Sequence, residues 1–357
     1  MFRSWKALVP LMVAVGALVT AIAMPQQTRR PAGVLQKAKA FRFDKIRDDV
    51  YHAVGTGAMT VGANSVIIIN DNDVMLVDSH ISPAAGWVLL DEMKAITTKP
   101  VRYVVNTHFH YDHAHGNQVF GKDVEIIGHE FTRKVLEDDA NGRLFRGYIA
   151  GLPAQIDQLK NRVATEVDAA RKAQLQNQLE AAEANRDSQA ELQTVPPTIT
   201  LRDKMTLYRG NREIQLLYLG RGHTGGDIVV LLPAERIVCS GDLMTNGIAN
   251  MVDGFADDWV NSLEQLKKLD FDTVLPGHGN AFTGKTLITA FQTYLRDIWT
   301  QASRLKQQGV PVEEAAKRID LTVHKASFAS ITGPGVNLNS VTRIYEVLEM
   351  KSRGELR

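Results

Sequence analysis

A single cysteine, Cys239, stands in 357 residues. That excludes an internal disulfide framework and every zinc module built on clustered cysteines. An excess of charge is missing too, since 41 Lys and Arg offset 40 Asp and Glu and leave a formal net charge of +1. Without a basic field, no nucleic-acid partner is expected. No repeat of fixed period is visible, so solenoids and propellers are set aside. What remains is 44% hydrophobic and 23% charged, the balance of a globular chain long enough for a sizeable core.

The long apolar run lies at the start. Arg3 and Lys6 precede Ala7 to Met24, and Ala21-Ile22-Ala23 offers small residues at alternate positions to a signal peptidase. This predicts a signal peptide over 1–23 and a polar linker over 24–40. The body, 41–357, is then secreted or periplasmic with no stable membrane association. An uncleaved N-terminal membrane anchor is the alternative, against which Pro10 counts as a break in a regular helix.

Short β-branched runs at Val50 to Val54, Ser65 to Ile69, Val74 to Val77 and Val101 to Val105 read as strands, with a helix between Pro83 and Pro100. Val124 to Ile127 and a helix over Glu130 to Leu136 repeat that order. Residues 153–195 depart from it: Ile156, Leu159, Val163 and Val167 form a helical stripe, which Leu175 and Leu179 resume in a shifted register. The expectation is an inserted helical hairpin, serving as a solvated arm or as a contact in a homo-oligomer. Strands return at Met205 to Tyr208, Glu213 to Leu219, Ile228 to Leu232, Arg236 to Ser240 and Thr273 to Leu275. Helices fill a C-terminal part over 286–357. Strand-then-helix order in both halves predicts two packed sheets covered by helices on their outer faces.

Chemistry concentrates after Val105. Thr107-His108-Phe109-His110-Tyr111-Asp112-His113 packs three imidazoles and a carboxylate into six positions at a strand end. Imidazole nitrogen and carboxylate oxygen are ligands that a divalent ion such as zinc prefers, and a loop can fold several onto one point. Three later strands also end in a Gly-flanked polar residue, namely Gly222-His223, Gly241-Asp242 and Gly277-His278-Gly279. Glycine lets the backbone turn tightly there, so a side chain can be aimed into a shared cleft. Cys239 reads as a buried strand residue. His80 and His115 are pocket or loop residues by position, His52, His129 and His324 look ordinary, and Phe109, Tyr111, Met244, Asn246 and Asn250 follow the ligands closely enough to meet a substrate.

In this order the residues resemble the metallo-β-lactamase superfamily, whose signature is a strand-end Asp, His-x-His-x-Asp-His, then a His, an Asp and a His. The resemblance spans roughly residues 50–285 and implies an α/β fold, a four-layer αββα sandwich with the metal site at one edge of the sheets. It implies that His108, His110 and His223 hold one zinc ion and Asp112, His113 and His278 a second, with Asp242 bridging and Asp78 orienting ligands. Iron and manganese are the alternative metals. An Asp at the position of Asp242 is a mark of the glyoxalase-II-like, lactonase-like and nuclease-like branches and is generally lacking in the true β-lactamases. The expected function is an exported zinc-dependent hydrolase acting on a small-molecule substrate. A metal-bridging hydroxide would cleave an ester, lactone, thioester or amide-type bond, with a β-lactam among the candidates and Asp112 catalytic as a proton carrier. An iron-dependent oxidoreductase of the same fold and a phosphodiesterase are the alternatives.

Overall fold

The structure is a computed structural model that describes residues 39–138, 143–190, 192–248 and 250–356. The expected signal peptide and nearly all of the linker lie outside the described residues. Strands β1 (Phe41–Arg47), β2 (Val50–Gly55), β3 (Ser65–Ile69) and β4 (Val74–Val77) form an antiparallel meander. Helix α1 (Pro83–Glu92) crosses over to β5 (Val101–Val105), parallel to β4. A single turn, α2 (Tyr111–Ala114), precedes β6 (Glu125–His129), parallel to β5. Helices α3 (Glu130–Asp138), α4 (Arg143–Thr165) and α5 (Ala169–Ala190) then lead to β7 (Ile199–Leu201), which completes a seven-stranded sheet in sequence order.

The second sheet takes β8 (Lys204–Arg209), β9 (Arg212–Tyr218), β10 (Ile228–Leu232) and β11 (Ile237–Gly241) as antiparallel neighbours. Helix α6 (Ala256–Lys268) carries the chain to β12 (Thr273–Pro276), parallel to β11, and β13 (Phe282–Thr283) closes the edge. Helices α7 (Thr286–Gln307), α8 (Val312–Arg318) and α9 (Leu338–Ser352) follow.

Alternation along each central strand builds the layers. Val66 and Ile68 of β3, Met75 and Val77 of β4, Val105 and Ile127 point into one core with Ile228, Val230, Leu232, Ile237, Cys239 and Leu275 of the other sheet. Their neighbours Ile67, Ile69, Leu76, Val104 and Ile126 face α1 instead, against Ala85, Val88 and Leu89. On the far side Val229, Val238 and Val274 meet α6, α7 and α9 through Trp259, Phe291 and Ile344. Strands buried on both faces are apolar at every position, which is why they read as unbroken runs. The αββα sandwich is therefore the fold. Ser82 starts α1 by accepting a 3.2 Å hydrogen bond from Ala85 N–H, with Pro83 next in the chain.

The helical region differs from its expected bounds. Helix α4 begins at Arg143 rather than near Pro153, and it runs straight through that proline. Its first turns dock aromatic side chains on the metal-site loop, a tertiary contact that outweighs the local cost of proline in a helix. Val167 does not continue the stripe: it sits between α4 and α5, 96% exposed. Ile156, Leu159, Leu175, Leu179 and Ala182 form a small core of their own between the two helices. Strands β1, β7 and β13 had no sequence counterpart. They are edge or short strands with polar or half-buried residues and no apolar run to mark them.

Candidate metal centre

Strands β4 and β5 run parallel, so Asp78 and the His108 to His113 loop leave the first sheet on the same edge. Strands β11 and β12 are parallel in the second sheet and deliver Asp242 and His278 to that edge, while the β9–β10 loop brings His223. A backbone hydrogen bond of 2.9 Å from Ile228 N–H to Thr107 O stitches the two edges together. All seven expected ligands meet. Three groups of mutually close donor atoms result: His108, His110 and His223; His108, His113 and Asp242; Asp112, His113 and His278.

Hydrogen bonds behind the cluster decide which ring nitrogens face inward. Asp78 Oδ2 accepts from His113 Nδ1 at 2.7 Å and from the Thr107 hydroxyl at 2.8 Å, and Oδ1 accepts from Thr107 N–H at 2.8 Å. Thr107 Oγ1 in turn lies 3.0 Å from His108 Nδ1. On the other side His110 Nε2 donates to Asp253 Oδ2 at 3.0 Å. These partners leave lone pairs on His108 Nε2 and His110 Nδ1, which nevertheless sit 3.0 Å apart, with His223 Nε2 2.9 Å from the same His110 Nδ1. Lone pairs converging at that distance repel unless a cation lies among them. His113 Nε2 and Asp242 Oδ1 are buried with no hydrogen-bond partner. They lie 3.6 Å from each other, too far for a hydrogen bond, and such unsatisfied polar atoms are costly in a protein interior unless an ion is coordinated there. The donor set fits a pair of divalent ions.

Electrostatics divides the site in two. Burial, reinforced by the surrounding imidazoles, pulls His108 well below the ordinary histidine value and His223 down to about 3, so that half is neutral nitrogen. Across from it, burial works against protonation of His113 and His278, but nearby carboxylates prevail. Asp78, Asp112 and Asp242 hold His113 well above its ordinary value, and Asp242 and Asp112 bring His278 to about 10. Burial would raise Asp112 and Asp242, yet the adjacent imidazoles hold both below the usual carboxylate range. Asp112 Oδ2 is 3.1 Å from His278 Nε2, and Asp242 Oδ2 is 3.4 Å from His278 Nε2 and 3.5 Å from His223 Nε2. Asp242 thus touches both halves.

Other sequence candidates lie elsewhere. His80 is a core residue whose ring nitrogens meet Ser65 Oγ at 2.8 Å and Ala63 O at 3.0 Å, and burial pulls it down to about 3. Cys239 is buried between the sheets, and desolvation pushes its thiol up. Met244 is fully buried and closed to a substrate, while Asn246 and Asn250 are exposed beside the site. His115 packs its ring on Phe145 at 4.6 Å, and Tyr111 stacks on Tyr148 of α4 at 4.7 Å. Asp253 and Thr107 escaped the sequence reading. Thr107 adjoins the motif but carries no ligand chemistry, and Asp253 lies 143 residues from the imidazole it orients, with no strand before it.

Fold and site together define a sheet sandwich with a cluster of candidate metal ligands at one edge. The chain belongs to the metallo-beta-lactamase superfamily, whose family model matches residues 59–278. It is 24% identical over 286 residues to a linear primary-alkylsulfatase of Pseudomonas sp. (strain ATCC 19151), covering 76% of this chain and 53% of that protein. A metallo-beta-lactamase type 2 of Bacillus cereus is 33% identical over 89 residues, 23% of this chain and 35% of the relative. The chain thus spans about half or less of these relatives' length. Among solved structures, a metallo-beta-lactamase from Pontibacter korlensis superposes with TM-score 0.52 and 17% identity, over 72% of this chain and 99% of its own. That likeness is one of fold.

Proposed function

We propose that the chain is a metal-dependent hydrolase that cleaves an ester-type bond. His108, His110 and His223 would hold one divalent ion, and Asp112, His113 and His278 a second, with Asp242 reaching both. Zinc suits this mixture of imidazole and carboxylate. The observation that carries the reading is the convergence of His108 Nε2, His110 Nδ1 and His223 Nε2 to about 3 Å beside two carboxylates, with the other ring nitrogens of His108 and His110 already held by Thr107 and Asp253. When bound, such ions acidify a water molecule and polarise the oxygen of the bond under attack.

The chain's own residues orient and move protons. Asp78, Thr107 and Asp253 fix the ring orientations of His113, His108 and His110 through the hydrogen bonds above. Asp112, held in its charged form by His113 and His278 and only partly covered, is the carboxylate placed to relay a proton to the leaving group. The relatives bear on the bond. The alkylsulfatase match covers 76% of this chain and the β-lactamase match 23%, which favours an ester of sulfuric acid over a β-lactam. Export completes the reading, supported by the apolar start of the chain with its small-residue cleavage pattern.

The test is metal content of the purified protein alongside rates on a carboxylic ester, a sulfate ester, a thioester, a lactone, a β-lactam and a phosphodiester. Metal-dependent turnover led by an ester is expected. Turnover of the β-lactam alone, or oxidation chemistry with bound iron, overturns the assignment.

A further inference from the structure

His278 has the least packing around it of the histidine ligands. His108, His110, His113 and His223 are buried, whereas the His278 side chain is 41% exposed and stands between Gly277 and Gly279. Flanking glycines leave a backbone many conformations to lose, so an ion bound through such a residue is weakened by the ordering cost unless the loop is already held. The loop is held. Asn64 N–H donates to Gly277 O at 2.7 Å, and the Asn64 amide Nδ2 donates to Gly279 O at 2.7 Å and to Pro276 O at 3.1 Å. Asn246 N–H donates to His278 O at 3.2 Å and its Nδ2 to Asn280 O at 3.0 Å. Every carbonyl from Pro276 to Asn280 thus accepts a hydrogen bond from one of two asparagines, and His52 Nε2 adds a second to Pro276 O at 3.1 Å.

The two asparagines are not equivalent. Asn246 is exposed, so water can replace its amide, and its bond to His278 O comes from the backbone. Asn64 is buried and reaches the loop from the other sheet, just before β3. Both of its amide hydrogens are used, and both partners are carbonyls, which fixes the amide's orientation. Among the described residues its side chain bonds to the His278 loop alone. The segment that carries it meets the rest of the second ion's ligands as well. Gly62, at φ +82°, lies so close to Asp112 that a Cβ there would be 2.6 Å from Asp112 Cβ. Ser65 Oγ donates to Asp78 O at 2.8 Å, and Asp78 holds His113.

We infer that Asn64 is a positioning residue that holds the His278 loop in place for the second ion and so sets that ion's affinity without touching it. The inference rests on the two-ion reading above and adds to it a residue outside the ligand set. Substitution of Asn64 leaves Gly279 O without its donor and returns to the loop the freedom that its glycines allow. The subsite of His108, His110 and His223 is oriented by Thr107 and Asp253 instead, so it should keep its ion.

The experiment dialyses the zinc-loaded full chain against a graded series of zinc-buffered solutions and follows metal per chain, which resolves one step for each ion. His278→Ala marks which step belongs to the second ion. Asn64→Ala should weaken that step about ten-fold or more and leave the other unchanged, as loss of a group that orients a ligand does. Asn64→Asp, equal in size but turning an oxygen toward the carbonyls, should weaken it at least as much. Asn64→Ser, with one donor in place of two, should fall between Asn64→Ala and the parent, and it decides by the same criterion where the other two do not fold. Gln292→Ala is the control for a merely structural effect. Gln292 is buried between α6 and α7 and donates to Val260 O at 2.8 Å, so its loss should lower the melting temperature with both steps at parental values. Parental steps in the Asn64 variants, equal weakening of both steps, or the same weakening in Gln292→Ala overturns the inference while two ions in the parent leave the two-ion reading standing. Fewer than two ions in the parent overturns both. Selective weakening of the second step in a protein that hydrolyses no ester upholds the role of Asn64 and removes the hydrolase reading alone.

Discussion

Gly277 is required by its neighbours rather than by its backbone. A Cβ there would lie 2.4 Å from Asp242 Oδ1 and 2.8 Å from His113 Cε1, inside the ligand cluster. Gly277→Ala should therefore displace ligands, lowering metal affinity at least ten-fold and stability by about 1–3 kcal/mol, as overpacking does. Equilibrium dialysis and urea melts measure both, and parental values in the variant contradict the packing. Asp253→Ala should lower metal affinity about 10–100-fold by freeing the His110 ring, with Asp253→Asn retaining more because its carbonyl still accepts. Equal affinity in all three proteins removes Asp253 from the site. Asp227 makes a pH prediction. Burial raises it to about 6 although it accepts 2.6 and 2.8 Å hydrogen bonds from Thr224 beside His223. Its folded value lies above the ordinary 3.8, so the stability it gives is full below about 4 and is lost as pH rises through about 6. Relative to Asp227→Asn, the parent should lose on the order of 3 kcal/mol between pH 4 and 7 at about 1.4 kcal/mol per unit. A pH-independent difference in urea midpoints refutes this.

The central strands and most helices were legible because each carries one pattern along its whole length. Val74–Val77 and Ile228–Leu232 were read to the residue because burial on both faces makes them wholly apolar, and Ser65–Ile69 and Val101–Val105 because their β-branched runs stand out despite Ser65 and the exposed Arg102. Strand β1 has only Phe41 buried and carries no apolar run to mark it as a strand until β2 pairs with it. The structure brings together the seven candidate ligands, which were legible from their place after strands together with the family resemblance. Which ring nitrogen each histidine presents was not, because that depends on Asp78, Thr107 and Asp253 and on how distant loops meet. Helices α4 and α5 divide by the same reasoning. Tyr148, Asn185 and Gln189 tie their near ends to Tyr111 and to Ile81 O, while Ile156, Leu159, Leu175 and Leu179 pack only within the pair. Replacing residues 156–181 by a short turn should leave metal stoichiometry unchanged. Loss of folding or of metal would show the far ends to be part of the central core.

At the scale of the whole molecule, the sandwich brings loops from both sheets to one edge, and neither sheet holds the site alone. His108, His110, Asp112 and His113 come from the first sheet, and His223, Asp242 and His278 from the second. Metal binding should therefore stabilise the packing of one sheet on the other, because ions bound only by the folded chain shift its unfolding equilibrium. The most direct measurement is metal stoichiometry by elemental analysis after dialysis against zinc, in the parent and in His110→Ala and His278→Ala. The account predicts about two ions per chain in the parent and about one in each variant, as expected for a two-ion site that loses one subsite. No bound metal in the parent, or parental stoichiometry in both variants, contradicts it.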